Sequence, residues 1–228
     1  MCTQRAPFNW SHDLYPRHGV TIETYLRNTV VPALRDKSEQ GGAIFLKEVK
    51  YRWSNHKIMN KWLQQLFAYL DRMYVKYHRL PTLQQVGLQL FKTEIYQNYS
   101  TDITRSILIL VDQDRNGEII DKTLVPAMFE MYKCLRDRNY STYATELEAP
   151  FLESTRAYYR QRRMEWIAND DSIPDYLIKV ERAYAEEQRL VAEYYLNEIS
   201  ESRVRAVVED ELMFVGFVLL LSGLSLGI

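Results

Sequence analysis

Residues 43–78 read AIFLKEVKYRWSNHKIMNKWLQQLFAYLDRMYVKYH and contain neither Gly nor Pro. Phe45, Val49, Trp53, Ile58, Trp62, Leu66, Tyr69, Leu70 and Met73 mostly advance by three to five residues, which keeps them on one broad helical face. The spacing predicts two helices here, or one helix bent near Ser54-Asn55. The same periodicity continues outward. Gly19 to Lys37 places Val20, Tyr25, Leu26, Val30, Val31 and Leu34 on a face, with Pro32 as a predicted kink and Gly41-Gly42 as the stop. Pro81 is expected in the first turn of a helix that runs to about Tyr96.

The pattern restarts at Thr101 with Ile103, Ile107, Leu110 and Val111, and Asn116-Gly117 closes that helix. Further helices are predicted over Ile119–Leu135, Tyr143–Ala168, a segment capped by Asp171-Ser172 that runs to Leu196, and Ser200–Met213. No run of strict alternation bounded by turn signals interrupts them, so the fold class is all-α. Long amphipathic helices joined by short connections pack as bundles, and repeated bundles stack on their neighbours. The expected organisation is a partial first unit over residues 1–99, a second unit over 100–213 and an apolar tail over 214–228.

Composition agrees. The chain has 228 residues, 29 Lys+Arg against 30 Asp+Glu, and a net charge of -1, which argues against a strongly basic nucleic-acid binder. With 46% hydrophobic and 26% charged residues it reads as folded and soluble. Only 8 Gly and 7 Pro are available for turns, too few for an all-β fold. Cys2 and Cys134 form no CxxC pair and no disulfide framework, so a reducing compartment is expected. The start, Met1 to Asn9, is polar and carries no secretory signal.

Three features could carry chemistry. Asp112-Gln113-Asp114-Arg115-Asn116-Gly117-Glu118-Ile119 matches the opening of a calcium loop, with oxygen ligands at positions 1, 3 and 5 and Gly at 6. Position 12 is Thr123 instead of a bidentate Glu, and position 9 is Ile120. A helix C-cap is the preferred reading, and a calcium-binding module over 112–123 is the alternative. Arg156, Arg160, Arg162 and Arg163 interleave with Tyr158, Tyr159 and Trp166. Such a stretch could meet nucleic acid, but near-neutral charge favours a helix that packs its aromatics and displays its arginines. Leu212 to Ile228 carries no charge. It sits at the lower limit of the roughly 20 residues that span a bilayer, so a tail anchor is one reading. A reading frame that leaves its parent sequence near Met213 is the other.

Signals for catalysis are thin. His12, His18, His56 and His78 form no metal-ligand spacing, and Ser11-His12-Asp13 are consecutive residues whose side chains point apart. No phosphate-binding Gly-rich loop is present in the sequence. No enzyme activity, cofactor or metal is expected.

Tyr51-Arg52-Trp53-Ser54-Asn55-His56-Lys57, Tyr69-Leu70-Asp71-Arg72, Val86-Gly87-Leu88 and Pro174-Asp175-Tyr176-Leu177, in this order and spacing, resemble the N-terminal region of cullins, the scaffold subunits of multi-subunit ubiquitin ligases, and most closely the plant type of SCF ligases. Met1-Cys2-Thr3-Gln4 resembles an M-C-T-Q that ends the second helix of that family. Tyr51-Arg52-Trp53-Ser54-Asn55-His56-Lys57-Ile58-Met59 and Trp62-Leu63 resemble R-W-S-N-H-K-V-M and W-L. Tyr69-Leu70-Asp71-Arg72, Leu80-Pro81 and Val86-Gly87-Leu88 resemble Y-L-D-R, L-P and V-G-L. Arg115-Asn116-Gly117-Glu118 through Asp121 resembles R-x-G-E-x-I-D, and Phe151-Leu152-Glu153, Pro174-Asp175-Tyr176-Leu177 and Arg189-Leu190-Val191 continue the register.

The resemblance implies stacked five-helix repeats in an α-solenoid-like stalk, with the first repeat lacking its opening helices. It implies a non-catalytic scaffold that serves ubiquitin-dependent protein degradation in the cytoplasm and nucleus. The implied partner is a Skp-type adaptor with its F-box protein, gripped through Leu80, Leu83 and Gln84 and weakened by the missing helices. The RING-box protein is not expected to bind, because the region that recruits it would lie outside residues 1–213. The amputated first repeat is expected to leave apolar faces uncovered.

Overall fold

The computed structural model describes residues 10–135, 143–169, 172–194 and 198–214, and every regular element among them is helical. Residues 1–4 of the resemblance and the tail from 215 onward lie outside the described residues, and so does Leu196. Packing divides the chain into two units, Met1–Ser106 and Ile107–Ile228.

In the first unit, helix α1 covers residues 11–38. It comprises Ser11–Tyr25, a widened π-turn at Leu26–Val30 and Val31–Ser38. Pro32 does not stop this helix. A proline lacks the N–H of the regular ladder and its ring crowds the carbonyl four residues back. That carbonyl belongs to Asn28, inside the π-turn. Helix α2 is Gly42–Leu66 and helix α3 covers residues 68–78. The predicted bend at Ser54-Asn55 is absent and the break falls at Phe67 (φ -103, ψ 24). Trp53 and His56, which flank Ser54-Asn55, are both buried against the next helix, so the backbone stays regular there.

That next helix, α4, is Leu83–Phe91 and continues through a π-turn at Lys92–Tyr96 into α5, Gln97–Arg115. The sequence predicted a restart at Thr101. Gln97 to Ser100 contain no breaker, and the helix carries on. Its start is set by a capping box: Thr82 Oγ1 accepts from Gln85 N and Gln85 Oε1 accepts from Thr82 N. Thr82, not Pro81, therefore defines the first turn.

The core of this unit is the ridge Phe45, Val49, Trp53 on α2, at i+4 steps, against α4 and α1. Trp53 and His56 lie with ring centroids 5.1 and 4.8 Å from Phe91. Burying each such apolar side chain stabilises by about 1.5–3 kcal/mol. The helices approach closely at Gly87, where a Cβ would stand 2.1 Å from Asn60 Oδ1. The π-turns of α1 and α4–α5 pack on one another, and Arg27 donates to both carboxylate oxygens of Glu94 at 2.7 and 2.9 Å.

In the second unit, α5 ends in a Schellman motif. Glu118 N donates to Gln113 O and Gly117 N to Asp114 O, while Gly117 takes φ +77. Helix α6 is Leu124–Leu135 and begins later than the predicted Ile119. Asp121 Oδ1 accepts from both Thr123 N and Thr123 Oγ1, which fixes the turn ahead of it, and Ile119 is fully exposed. Helix α7 covers residues 144–168, with a π-turn at Ala144–Glu148 just before Pro150, the same arrangement as at Pro32. Helix α8 is Ile173–Glu193 with Ser172 as N-cap, and α9 is Glu198–Glu209, continued by Asp210–Phe214.

A buried polar knot holds this unit. Arg115 donates to both oxygens of Glu187 (3.1 and 2.7 Å) and to Thr155 Oγ1 (2.7 Å). Tyr159 donates to Glu187 Oε2 at 2.7 Å. Burial opposes the Arg115 charge, but the Glu187 carboxylate outweighs it and holds the guanidinium well above its ordinary pKa. Burial, then Glu187, raises the Tyr159 hydroxyl. A second knot collects arginines on Glu211, whose carboxylate accepts from Arg163 at 2.7 Å and from Arg156 and Arg160 at 3.4 Å each. The predicted display of arginines to solvent holds for Arg160, which is exposed, and fails for Arg163, which is buried, while Arg156 and Arg162 are half-buried. Periodicity could not show this, because the carboxylate comes from another helix.

Candidate functional site

The α3–α4 junction is the part of the first unit where Leu80, Leu83 and Gln84 meet. Helix α3 closes with Arg79 in the left-handed region (φ 54) and Leu80 N bonded to Val75 O at 3.0 Å. This is a Schellman closure with an arginine where glycine is usual. Two bonds then pin the junction. Tyr15 OH donates to Pro81 O at 2.8 Å, and Leu83 N donates to Asp71 Oδ1 at 3.0 Å.

The junction is bordered by aromatic and imidazole rings. The His12 and His78 centroids lie 5.5 Å apart, and Tyr74 packs 5.0 Å from His12 and 4.4 Å from His78. Tyr77 sits edge-on to His78 at 5.0 Å. Burial lowers the pKa of His18, with Asp71 acting in the opposite sense. Burial, then Asp71, raises the Tyr15 hydroxyl.

The three predicted residues do not share one environment. Leu83 is 1% exposed and belongs to the core, Leu80 is half-buried and Gln84 is exposed. Beside them an apolar row faces solvent: Tyr69, Met73 and Tyr77 at i+4 steps on α3, with Tyr77 82% exposed. On α2, Ile58, Trp62 and Leu66 form another exposed row. The sequence reading puts Ile58, Trp62, Leu66, Tyr69 and Met73 on one broad face with Phe45, Val49, Trp53 and Leu70, and only the last four are buried. Periodicity marks an apolar face but not what covers it. Exposed aromatics beside a fixed helix start suit protein docking. Among the described residues no three His, Cys, Asp or Glu side chains gather to hold a metal.

The calcium alternative is not supported. Asp114 is buried and accepts from Tyr194 OH at 2.9 Å, and Asp112 Oδ1 accepts from Arg115 at 3.2 Å. Asp114 is committed inside the fold, the half-exposed Asp112 is engaged by Arg115, and Gly117 serves the helix end. The tail-anchor reading falls mostly outside the described residues. No described helix is long and apolar enough to cross a membrane.

The family model described as the Cullin alpha solenoid domain matches residues 1–222, beyond Met213 and into the apolar tail. The chain belongs to the cullin family. It is 34% identical to Cullin-2 of Arabidopsis thaliana over 94% of this chain and 28% of that protein. It is 35% identical to Cullin-1 of Oryza sativa subsp. japonica over 93% of this chain and 28% of that protein. Cullin-like protein 3 of Arabidopsis thaliana is 28% identical and is matched over 76% of its own length. The chain thus spans under a third of Cullin-2 and Cullin-1. Cullins are non-catalytic scaffolds.

The blocks that carry the cullin resemblance turn out to touch one another. His56 of the R-W-S-N-H-K block donates through Nε2 to the Gly87 carbonyl of V-G-L at 2.9 Å. Asp71 of Y-L-D-R receives Leu83 N just after Leu80-Pro81. Tyr176 of P-D-Y-L donates to Leu212 O at 2.8 Å. These are fold-holding residues; of the exposed rows, Ile58, Trp62 and Tyr69 lie within the blocks and Leu66, Met73 and Tyr77 outside them.

Proposed function

We propose that this chain is the adaptor-facing scaffold of a cullin-type ubiquitin ligase and acts in ubiquitin-dependent protein degradation in the cytoplasm and nucleus. A Skp-type adaptor with its F-box protein docks at the α3–α4 junction. Gln84 and Leu80 meet the adaptor directly, and Leu83 anchors α4 beneath them. The observation that carries this reading is the exposed row Tyr69, Met73 and Tyr77 beside a helix start pinned by Tyr15 and Asp71. Rigid support for an apolar surface lowers the ordering cost of binding.

A pull-down of the full chain with a purified Skp-type adaptor and F-box protein tests this. Retention above an unrelated helical protein is expected, with clear loss in Gln84→Arg and in Tyr77→Asp. Both positions are exposed, so folding survives the changes. Retention no better than the control, or equal retention by both variants, would refute the assignment.

A further inference from the structure

The second unit carries a groove that the adaptor reading does not use. It lies between α7 and α8, holds about 280 Å³, and is lined by Tyr158, Tyr159, Arg162, Trp166, Lys179, Arg182 and Glu186 over the Arg115 floor. The floor charge is already matched, because Arg115 is held by Glu187 and Asp112. The rim is different. Arg162 lies with its guanidinium 5.4 Å over the Tyr158 ring and donates to Asn116 Oδ1 at 3.1 Å, and its nearest carboxylate, Glu165, stands 3.6 Å away. That i,i+3 ion pair is solvent-exposed and weak, and the hydrogen bonds hold the guanidinium in place. Arg182 is exposed and makes no ion pair among the described residues. The one acidic side chain on the lining, Glu186, is drawn away by Arg189, whose hydrogen bonds lower its pKa. Trp166 is half-buried, with its ring 5.9 Å from Tyr176, and presents an apolar wall between the cations.

We propose that this groove docks an acidic linear segment of a partner protein, with carboxylates on Arg162 and Arg182 and an apolar or aromatic side chain against Trp166. The volume falls just below the roughly 300–1,000 Å³ of small-molecule sites and suits one or two side chains of a peptide. Guanidinium groups match carboxylates in bidentate geometry. An extended nucleic-acid strand fits poorly, since the net charge is -1 and the basic lining is confined to one short groove. This site is independent of the adaptor face.

The test uses the full chain and a fluorescein-labelled, glutamate-rich peptide carrying one phenylalanine, read by anisotropy at low salt. The comparison probes are the same peptide with glutamine for glutamate, a single-stranded oligonucleotide and inorganic phosphate as competitor. Saturable binding of the acidic peptide is expected, with the glutamine peptide silent. Arg182→Gln should weaken it about tenfold, the scale of one charge-assisted contact. Arg205→Gln, a surface control away from the groove, should leave it unchanged, and melting curves should match for all three proteins. The proposal is overturned by absent binding, by equal binding of the glutamine peptide, by equal effects of Arg182→Gln and Arg205→Gln, or by tighter binding of the oligonucleotide. Complete displacement by millimolar phosphate would also overturn it, because it would show a plain anion site with no use for Trp166.

Discussion

His56 should make the first unit sensitive to acid, by an amount that can be worked out. Its ring is 2% exposed between Trp53 and Phe91, and burial lowers its pKa from 6.5 to about 4 despite the opposing hydrogen bond to Gly87 O. A carbonyl only accepts, so Nε2 carries the proton and Nδ1 is bare and buried without a partner. Protonating Nδ1 would place a charge where nothing receives it. Between pH 6.5 and 4 the unfolded chain binds this proton and the folded chain does not, so stability rises with pH across that window. At about 1.4 kcal/mol per unit of pKa, the contribution is about 3 kcal/mol. It is fully present above pH 6.5 and lost by pH 4.

The comparison is His56→Gln, whose amide can still donate to Gly87 O but does not titrate. Urea unfolding at a series of pH values, followed by tryptophan fluorescence, should show the wild type losing about 3 kcal/mol relative to the variant from pH 7 to pH 4. His18 and the carboxylates titrate in both proteins and cancel in the difference. A difference that stays constant with pH would refute the reasoning, since the buried imidazole would then carry no penalty for charge.

Three other outcomes follow from the same contacts. Arg115→Met should cost about 3–5 kcal/mol by leaving Glu187 buried and unpaired, whereas Arg115→Met with Glu187→Leu should recover most of it; additive losses in a double-mutant cycle would count against the knot. Gly87→Ala should cost about 1–3 kcal/mol by overpacking against Asn60, and adding Asn60→Ala should relieve it, as measured by thermal melting. Trp62→Gln with Leu66→Gln should reduce concentration-dependent association in sedimentation runs; a wild type that stays monomeric at every concentration would contradict that.

Helical class was legible because Phe45, Val49, Trp53 and Leu70 repeat at helical steps, and the burial of these four matches the reading. The helix ends were less legible. Thr82 carries its signal openly in the T-x-x-Q spacing, yet Pro81 drew the reading one residue too early. Prolines 32 and 150 look like breakers in one dimension, but a widened turn ahead of each lets the helix pass. At the candidate site, Gln84 could be placed on a surface and Leu83 in the core only once α1 and α3 were known to surround them. Trp53 and Trp62 show the same limit: both sit on apolar helical steps, and only one finds a covering helix. Asp112 and Asp114 resemble ligands in sequence because their true partners, Arg115 and Tyr194, come from the local turn and from a helix end far along the chain.

The π-turns also bear on how relatives of this chain diverge. Such a turn holds one residue more than a regular turn and keeps the helix intact. A single insertion or deletion at 26–30, 92–96 or 144–148 can then be taken up as a change of winding, without lengthening a loop. Downstream side chains would rotate by about 100° unless the turn absorbs the residue. One-residue gaps between cullin relatives should therefore collect inside these helices, at positions where an aligner penalises them most.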